Sequence, residues 1–181
     1  MFLFAIVLAV IIGYLSKGSL ENLSELRFKS VYLIIIGFLL EFIMKIFLEN
    51  GMLEFGGLTY FINITMYGLI MSFIFVNRKD KMILIVGLGF LLNIIVIFGN
   101  SCTMPIGTWA MNCLGVNGSV DTKGLYSILT SETNFKLLAD ILPYKFWRYG
   151  GIASVGDIVL AIGVMGIIIK GMKSNKEHYN N

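Results

Sequence analysis

The 181-residue chain is 57% hydrophobic, only 14% charged, and carries a formal net charge of +3. An average soluble domain has roughly 25% charged residues, and a water-soluble fold of this length could not keep so much apolar surface from solvent. The small positive balance is split into short clusters between apolar runs, which is the pattern of membrane flanks and does not suggest a nucleic-acid partner.

A spanning helix needs about 20 mostly apolar residues. Five segments reach or approach that length: 2–16, 31–48, 57–76, 82–98 and 154–170. The first is short, which local thinning of the bilayer accommodates. It lacks the basic start and small-residue cleavage site of a secretory signal, so it reads as a retained span. The expected fold is an all-α membrane protein. A single integral domain over 1–181 forms a five-helix transmembrane bundle, with a structured extracytoplasmic cap over 99–153.

After the first span, Ser19 reads as an N-cap. Leu20, Leu23 and Leu26 recur at helical spacing opposite Glu21, Glu25 and Lys29, which predicts a surface helix with its leucines in the headgroups. Basic residues set the orientation. Lys17, Arg27 and Lys29 follow the first span, Arg78, Lys79 and Lys81 follow the third, and Lys173 and Lys176 follow the fifth, with Lys170 at its border. The turn between spans two and three holds only the acids Glu49 and Glu54. The N-terminus is then expected outside and the C-terminus in the cytoplasm. Lys123, Lys136, Lys145 and Arg148 run against this count, but they are spread over a long loop where the rule weakens.

The segment 99–153 contains both prolines, both tryptophans and both cysteines. Residues 131–142 read as a short amphipathic helix stopped by Pro143. Tyr144, Phe146, Trp147 and Tyr149, mixed with Lys145 and Arg148, have the composition of a membrane interface. Cys102 and Cys113 either pair in an oxidising compartment or stay as thiols. They have no histidine near them, and the only histidine, His178, is in the tail. No metal site and no cofactor are expected.

Three groups of residues carry candidate chemistry. Asp140 and Asp157 flank the last span boundary. Two close carboxylates share a proton, which is how an aspartyl hydrolase activates water. Against this, Ser154-Val155-Gly156-Asp157 is a helix capping box, and Asp140 is spaced to bind Lys136. Glu41 and Lys45 lie one turn apart inside the second span, where ionisable groups are by default functional. They read as a transport pair or as mutually neutralising charges. Asn100 to Pro105 follows the fourth span and forms either a re-entrant turn lining a cavity or a capped helix exit. Asn63 and Asn93 read as interhelical hydrogen-bond glue, and Gly156, Gly163 and Gly166 as places for a close helix approach.

The blocks Gly18-Ser19-Leu20-Glu21-Asn22-Leu23 with Glu25-Leu26-Arg27, then Asn100 with Met104-Pro105, then Asp140-Ile141-Leu142-Pro143 and Ser154-Val155-Gly156-Asp157 carry a family resemblance. In them the chain resembles the domain of unknown function 5317 family, with Ser101-Cys102 standing where that family has Gly-Gly. The resemblance implies a small bacterial inner-membrane protein without assigned activity. A second similarity is to lipoprotein signal peptidase, which has a late Asp opening its last helix and an earlier Asp completing a dyad. The Asn beside those acids is missing here. The expected function is a partner-binding subunit or a binder of a lipid-like ligand at the outer face, through Asn100, Pro105, Asp140, Ser154 and Asp157. An aspartyl hydrolase using Asp140 and Asp157, and a transporter using Glu41 and Lys45, stand as alternatives. The expected partners are the lipid bilayer and either a membrane protein or a lipid-like ligand.

Overall fold

The computed structural model describes residues 1–115, 125–146 and 149–173. Lys123, Trp147, Arg148, Lys176 and His178, named above, lie outside these. Five apolar helices form the body: α1 (Phe2–Leu15), α2 (Val31–Glu49), α3 (Gly57–Val76), α4 (Lys81–Gly99) and the last, which follows the cap (Val155–Lys173). Four of them are long and apolar enough to cross a membrane. At 1.5 Å per residue each of these is about 29 Å long, while the 14 residues of α1 give about 21 Å. By length, then, α1 falls short of the full spans beside it.

Between α4 and the last helix the chain makes a cap of mixed structure. Strand β1 (Met104–Ile106) pairs in parallel with β2 (Tyr126–Ile128), and β3 (Leu142–Phe146) pairs antiparallel with β4 (Tyr149–Ala153). A short helix, α5 (Thr108–Cys113), lies between β1 and β2. The last helix is therefore α6. The body is helical as expected and the short strands are confined to the cap; what is corrected is the helix over 131–142, of which only a 3₁₀ turn at Lys136–Leu138 forms. The reason is local competition for the backbone. The Thr130 N–H donates to Thr133 Oγ1, the Glu132 N–H to Thr130 Oγ1, and the Asn134 N–H to the Asn100 side chain. Short polar side chains that bond neighbouring backbone groups draw the chain out of the helix. Phe135 then adopts a left-handed φ of 53°.

Helix α6 packs between α1 and α4, α2 packs on α3, and α3 meets α4 to join the two halves. The α4–α6 contact depends on glycine. A Cβ on Gly89 would lie 2.6 Å from the Leu160 backbone nitrogen, and one on Gly163 would lie 2.7 Å from the Val86 nitrogen. Lipid tails are as apolar as leucine, so helices in a bilayer associate through such close backbone approach and through hydrogen bonds.

The two ends of the body differ. At one end the Met1 amino group donates to the Tyr144 hydroxyl at 2.8 Å, and the Phe4 and Phe146 rings lie 4.8 Å apart. The N-terminus and the cap thus share an end. At the other, Lys170 donates to Asp80 at 2.6 Å. The expected surface helix after α1 is a 3₁₀ helix, Leu20–Glu25, capped by Ser19. Its leucines do not all face outward: Leu23 and Leu26 pack on Gly171, and Asn22 Nδ2 donates to the Met172 carbonyl. Only Leu20 of the three is exposed.

Gly89→Ala should lower the thermal midpoint of the detergent-solubilised protein by an amount matching roughly 1–3 kcal/mol of overpacking. Gly68→Ala, where the added methyl meets nothing within 4 Å, should leave the midpoint unchanged or raised.

Candidate functional site

The start of α6 is held by a polar network reaching across to α4. Ser154 is fully buried; the Asp157 N–H donates to its Oγ at 2.9 Å, and the Ser154 N–H donates to Asp157 Oδ2 at 3.2 Å. This is the reciprocal capping box that the sequence spells out, and its carboxylate also suits the positive end of the helix. What sequence spacing did not pair is the partner from α4. Asn93 Nδ2 donates to Asp157 Oδ1 at 2.9 Å, and Ser154 Oγ donates to Asn93 Oδ1 at 2.8 Å. A Cβ on Gly156 would land on the Asn93 amide, so the glycine makes room for this bond.

Asp140 sits nearby in the cap. Its backbone N–H donates to the Pro105 carbonyl and its carbonyl accepts from the Gly107 N–H, so β1 fixes its position. The residue is only 8% exposed, and its Oδ1 has no hydrogen-bond partner among the described residues. Burial away from water, and then the charge of Asp157, push its carboxyl up to about 7. Lys136 does not neutralise it, contrary to the spacing argument: that ammonium donates to the Ser131 carbonyl. Burial also raises the Tyr126 hydroxyl, and the charges of Asp140, Glu41 and Asp157 raise it further. Three carboxylates from α2, the cap and α6 therefore act on one tyrosine of β2.

Glu41 and Asp157 meet at a cavity of about 400 Å³ in the seam between the α2–α3 pair and the α1–α6–α4 layer. Phe38, Tyr67, Phe90 and Asn93 also line it. Phe38 and Phe90 face each other across the seam with centroids 6.4 Å apart. A smaller cavity of about 140 Å³ continues under the cap, lined by Glu41, Lys45, Tyr67, Cys102 and Tyr126. Glu41 and Tyr67 thus belong to both. Glu41 makes no hydrogen bond or ion pair within 4 Å among the described residues. Lys45 comes within 3.9 Å of Glu49, one turn further on, while its charge still acts on Glu41 from one turn away.

The Asn100 segment is a capped helix exit. Asn100 Nδ2 donates to the Val96 carbonyl at 2.8 Å and also holds the Asn134 carbonyl. Pro105 is fully buried in β1. Neither lines the two cavities, whereas Cys102 and Met104 line the smaller one. Cys102 is buried and Cys113 exposed, and no disulfide joins them. Burial raises the Cys102 thiol, which keeps it protonated. Asn63 on α3 bonds the Thr59 carbonyl and approaches the Met44 sulfur on α2. Among the described residues, no group of three or more His, Cys, Asp and Glu side chains is arranged to hold a metal ion.

Residues 25–169 match the model of a family of unknown function (DUF5317). No curated protein and no solved structure matches the chain.

Asp140 gives the fold a pH dependence of definite sign. In the folded chain its carboxyl keeps a proton that the unfolded chain has lost. Stability therefore declines as pH rises from about 3.8 to about 7 and is level above that. Asp140→Asn should remove this slope. It should stabilise the protein at pH 8, by roughly 4 kcal/mol at most, and leave it unchanged near pH 3. Thermal midpoints recorded across this range check both.

Proposed function

The chain belongs to this family of unknown function, and from that premise we propose that it is a small multi-pass membrane protein that binds a lipid-like ligand in the seam cavity. In the same reading its cap and N-terminus are extracytoplasmic and its basic end lies in the cytoplasm of a bacterial cell. The observation that carries the proposal is the lining of the cavity. Ligand sites are mostly apolar, with a few convergent polar groups that fix orientation. Here aromatic and aliphatic side chains surround Glu41, Tyr67, Asn93 and Asp157. Ionisable groups at this depth mark function by default, because an idle carboxylate in hydrocarbon is costly. The chain of the ligand would lie along Phe38 and Phe90. Its head group would carry hydrogen-bond donors, complementing the two carboxylates.

This reading is preferred to a partner-binding subunit because the polar groups converge on a cavity and not on a flat helix face. It is preferred to transport because Lys45 is engaged with Glu49. The influence of Asp157 on Asp140 favours a second reading, an aspartyl hydrolase. In that case each of Asp140→Asn and Asp157→Asn would abolish hydrolysis of a membrane-embedded ester or peptide. The binding reading ranks first because Asp140 lines neither cavity.

Ile34→Trp and Val164→Trp place bulk in the cavity. Each should reduce binding of a fluorescent long-chain alcohol or amine by about tenfold or more, with the thermal midpoint kept. A long-chain carboxylate should bind poorly to the unaltered protein. Equal binding by both cavity variants, or none by the parent, would remove the proposal.

A further inference from the structure

At the opposite end of the body, the loop 25–29 and the turn 76–80 enclose a second recess, of about 340 Å³. Four cations line it: Arg27, Lys29, Arg78 and Lys79. They come from two segments far apart in sequence, and a reciprocal pair of hydrogen bonds holds those segments together. The Lys29 N–H donates to Asn77 Oδ1, and Asn77 Nδ2 donates to the Lys29 carbonyl, both at 2.9 Å. Of the two acids lining the recess, Asp80 is already engaged. Its Oδ1 accepts from the Met82 N–H at 2.8 Å and its Oδ2 from Lys170 at 2.6 Å. Partial burial raises its carboxyl, but the Lys170 and Met82 hydrogen bonds outweigh this and hold it below the ordinary value, so it stays charged and paired. Glu25 is the other acid, against four cations.

The recess adjoins an apolar groove of about 670 Å³ along α3 and α4, lined by Met71, Phe75 and Leu84 among others. Val76 and Arg78 line both. Arg78 is fixed at this junction. Its guanidinium lies 4.1 Å from the Phe75 ring centroid, and Nη1 donates to the Phe75 carbonyl at 2.9 Å. A polar basic recess that opens into an apolar groove, with an arginine at the join, complements one kind of molecule: an anionic head group attached to an acyl chain.

We propose that this is a binding site for an anionic phospholipid. Its phosphate lies among Arg27, Lys29, Arg78 and Lys79, and one acyl chain lies in the α3–α4 groove. Basic pockets between spanning helices suit lipid phosphates, since each Lys or Arg near an anionic surface adds to the attraction. Arginine contributes a planar fork of donors that matches phosphate geometry. The site is separate from the seam cavity and stands or falls independently of it.

The test uses the full-length protein in a neutral detergent, titrated with phosphatidylglycerol, phosphatidylcholine or inorganic phosphate. Native mass spectrometry and the thermal midpoint are the readouts. Phosphatidylglycerol should be retained and raise the midpoint, while phosphatidylcholine should do so about tenfold more weakly. The triple variant R27Q/K29Q/K79Q changes only exposed side chains and so should fold. It should lose phosphatidylglycerol binding by about tenfold or more, whereas Lys17→Gln, at the same end but outside the recess, should not. Ser72→Trp, which fills the groove, should weaken the lipid without removing a charge. Three results would overturn the proposal: equal retention of the two lipids, full retention by the triple variant, or equal stabilisation by inorganic phosphate, which would mark a soluble phosphate ligand instead.

Discussion

The contact between α4 and α6 is the constraint on which the other features depend. Between two helices in lipid there is no hydrophobic gain to collect, so association rests on close packing and on polar bonds made away from water. Here both occur at one seam. Gly89, Gly156 and Gly163 let the backbones approach, and the space cleared at Gly156 admits the Asn93 amide. That amide bonds Asp157 and Ser154 together, so the N-terminal groups of α6 are satisfied by its own capping box and by a neighbouring helix. With α6 fixed against α4 on one side and α1 on the other, the α2–α3 pair closes the body from across a gap.

That gap is where the ionisable side chains of the body gather. The carboxylate of Asp157 is held by the seam and still faces the cavity, while Glu41 arrives from α2 with no hydrogen bond of its own among the described residues. The cap brings the third acid, Asp140, fixed by backbone bonds to β1 and shielded from water. The opposite end has the reverse polarity. Asp80 caps α4 and is neutralised by Lys170, so the cations of the two adjoining segments face outward into a recess. The body therefore has an acid-lined interior near the cap and a basic recess at the far end, joined by helices of nearly bilayer length.

Several features of the site could be read directly. The Ser154-to-Asp157 capping box and the close approach at the glycines of α6 follow from short-range rules, and short-range rules need only local sequence, whereas at Asn100 those rules left a re-entrant turn and a capped helix exit both open. The pairings that failed were also local guesses. Glu41 and Lys45 are one turn apart and interact through their charges, yet the closer contact of Lys45 is with Glu49 one turn further on. Lys136 lies four residues before Asp140, but only a 3₁₀ turn and no α-helix forms there to make the spacing meaningful, because the threonines and Asn134 draw the backbone into turns. The helix after α1 does form, capped by Ser19, but two of its leucines do not lie outward as expected. Its leucines are real apolar positions, but Gly171 on α6 offers them a protein surface.

What the amino-acid order determined on its own was the apolar character and length of the helices, their boundaries, and the clustering of basic residues at alternate turns. Each depends on composition over one helix, which no distant residue can change. Which helices touch, which asparagine meets Asp157, and that Glu41, Asp157 and Asp140 all come near Tyr126 were decided only in three dimensions. Those relations join residues dozens of positions apart, and they come from the packing of whole helices, which leaves no local trace in the chain.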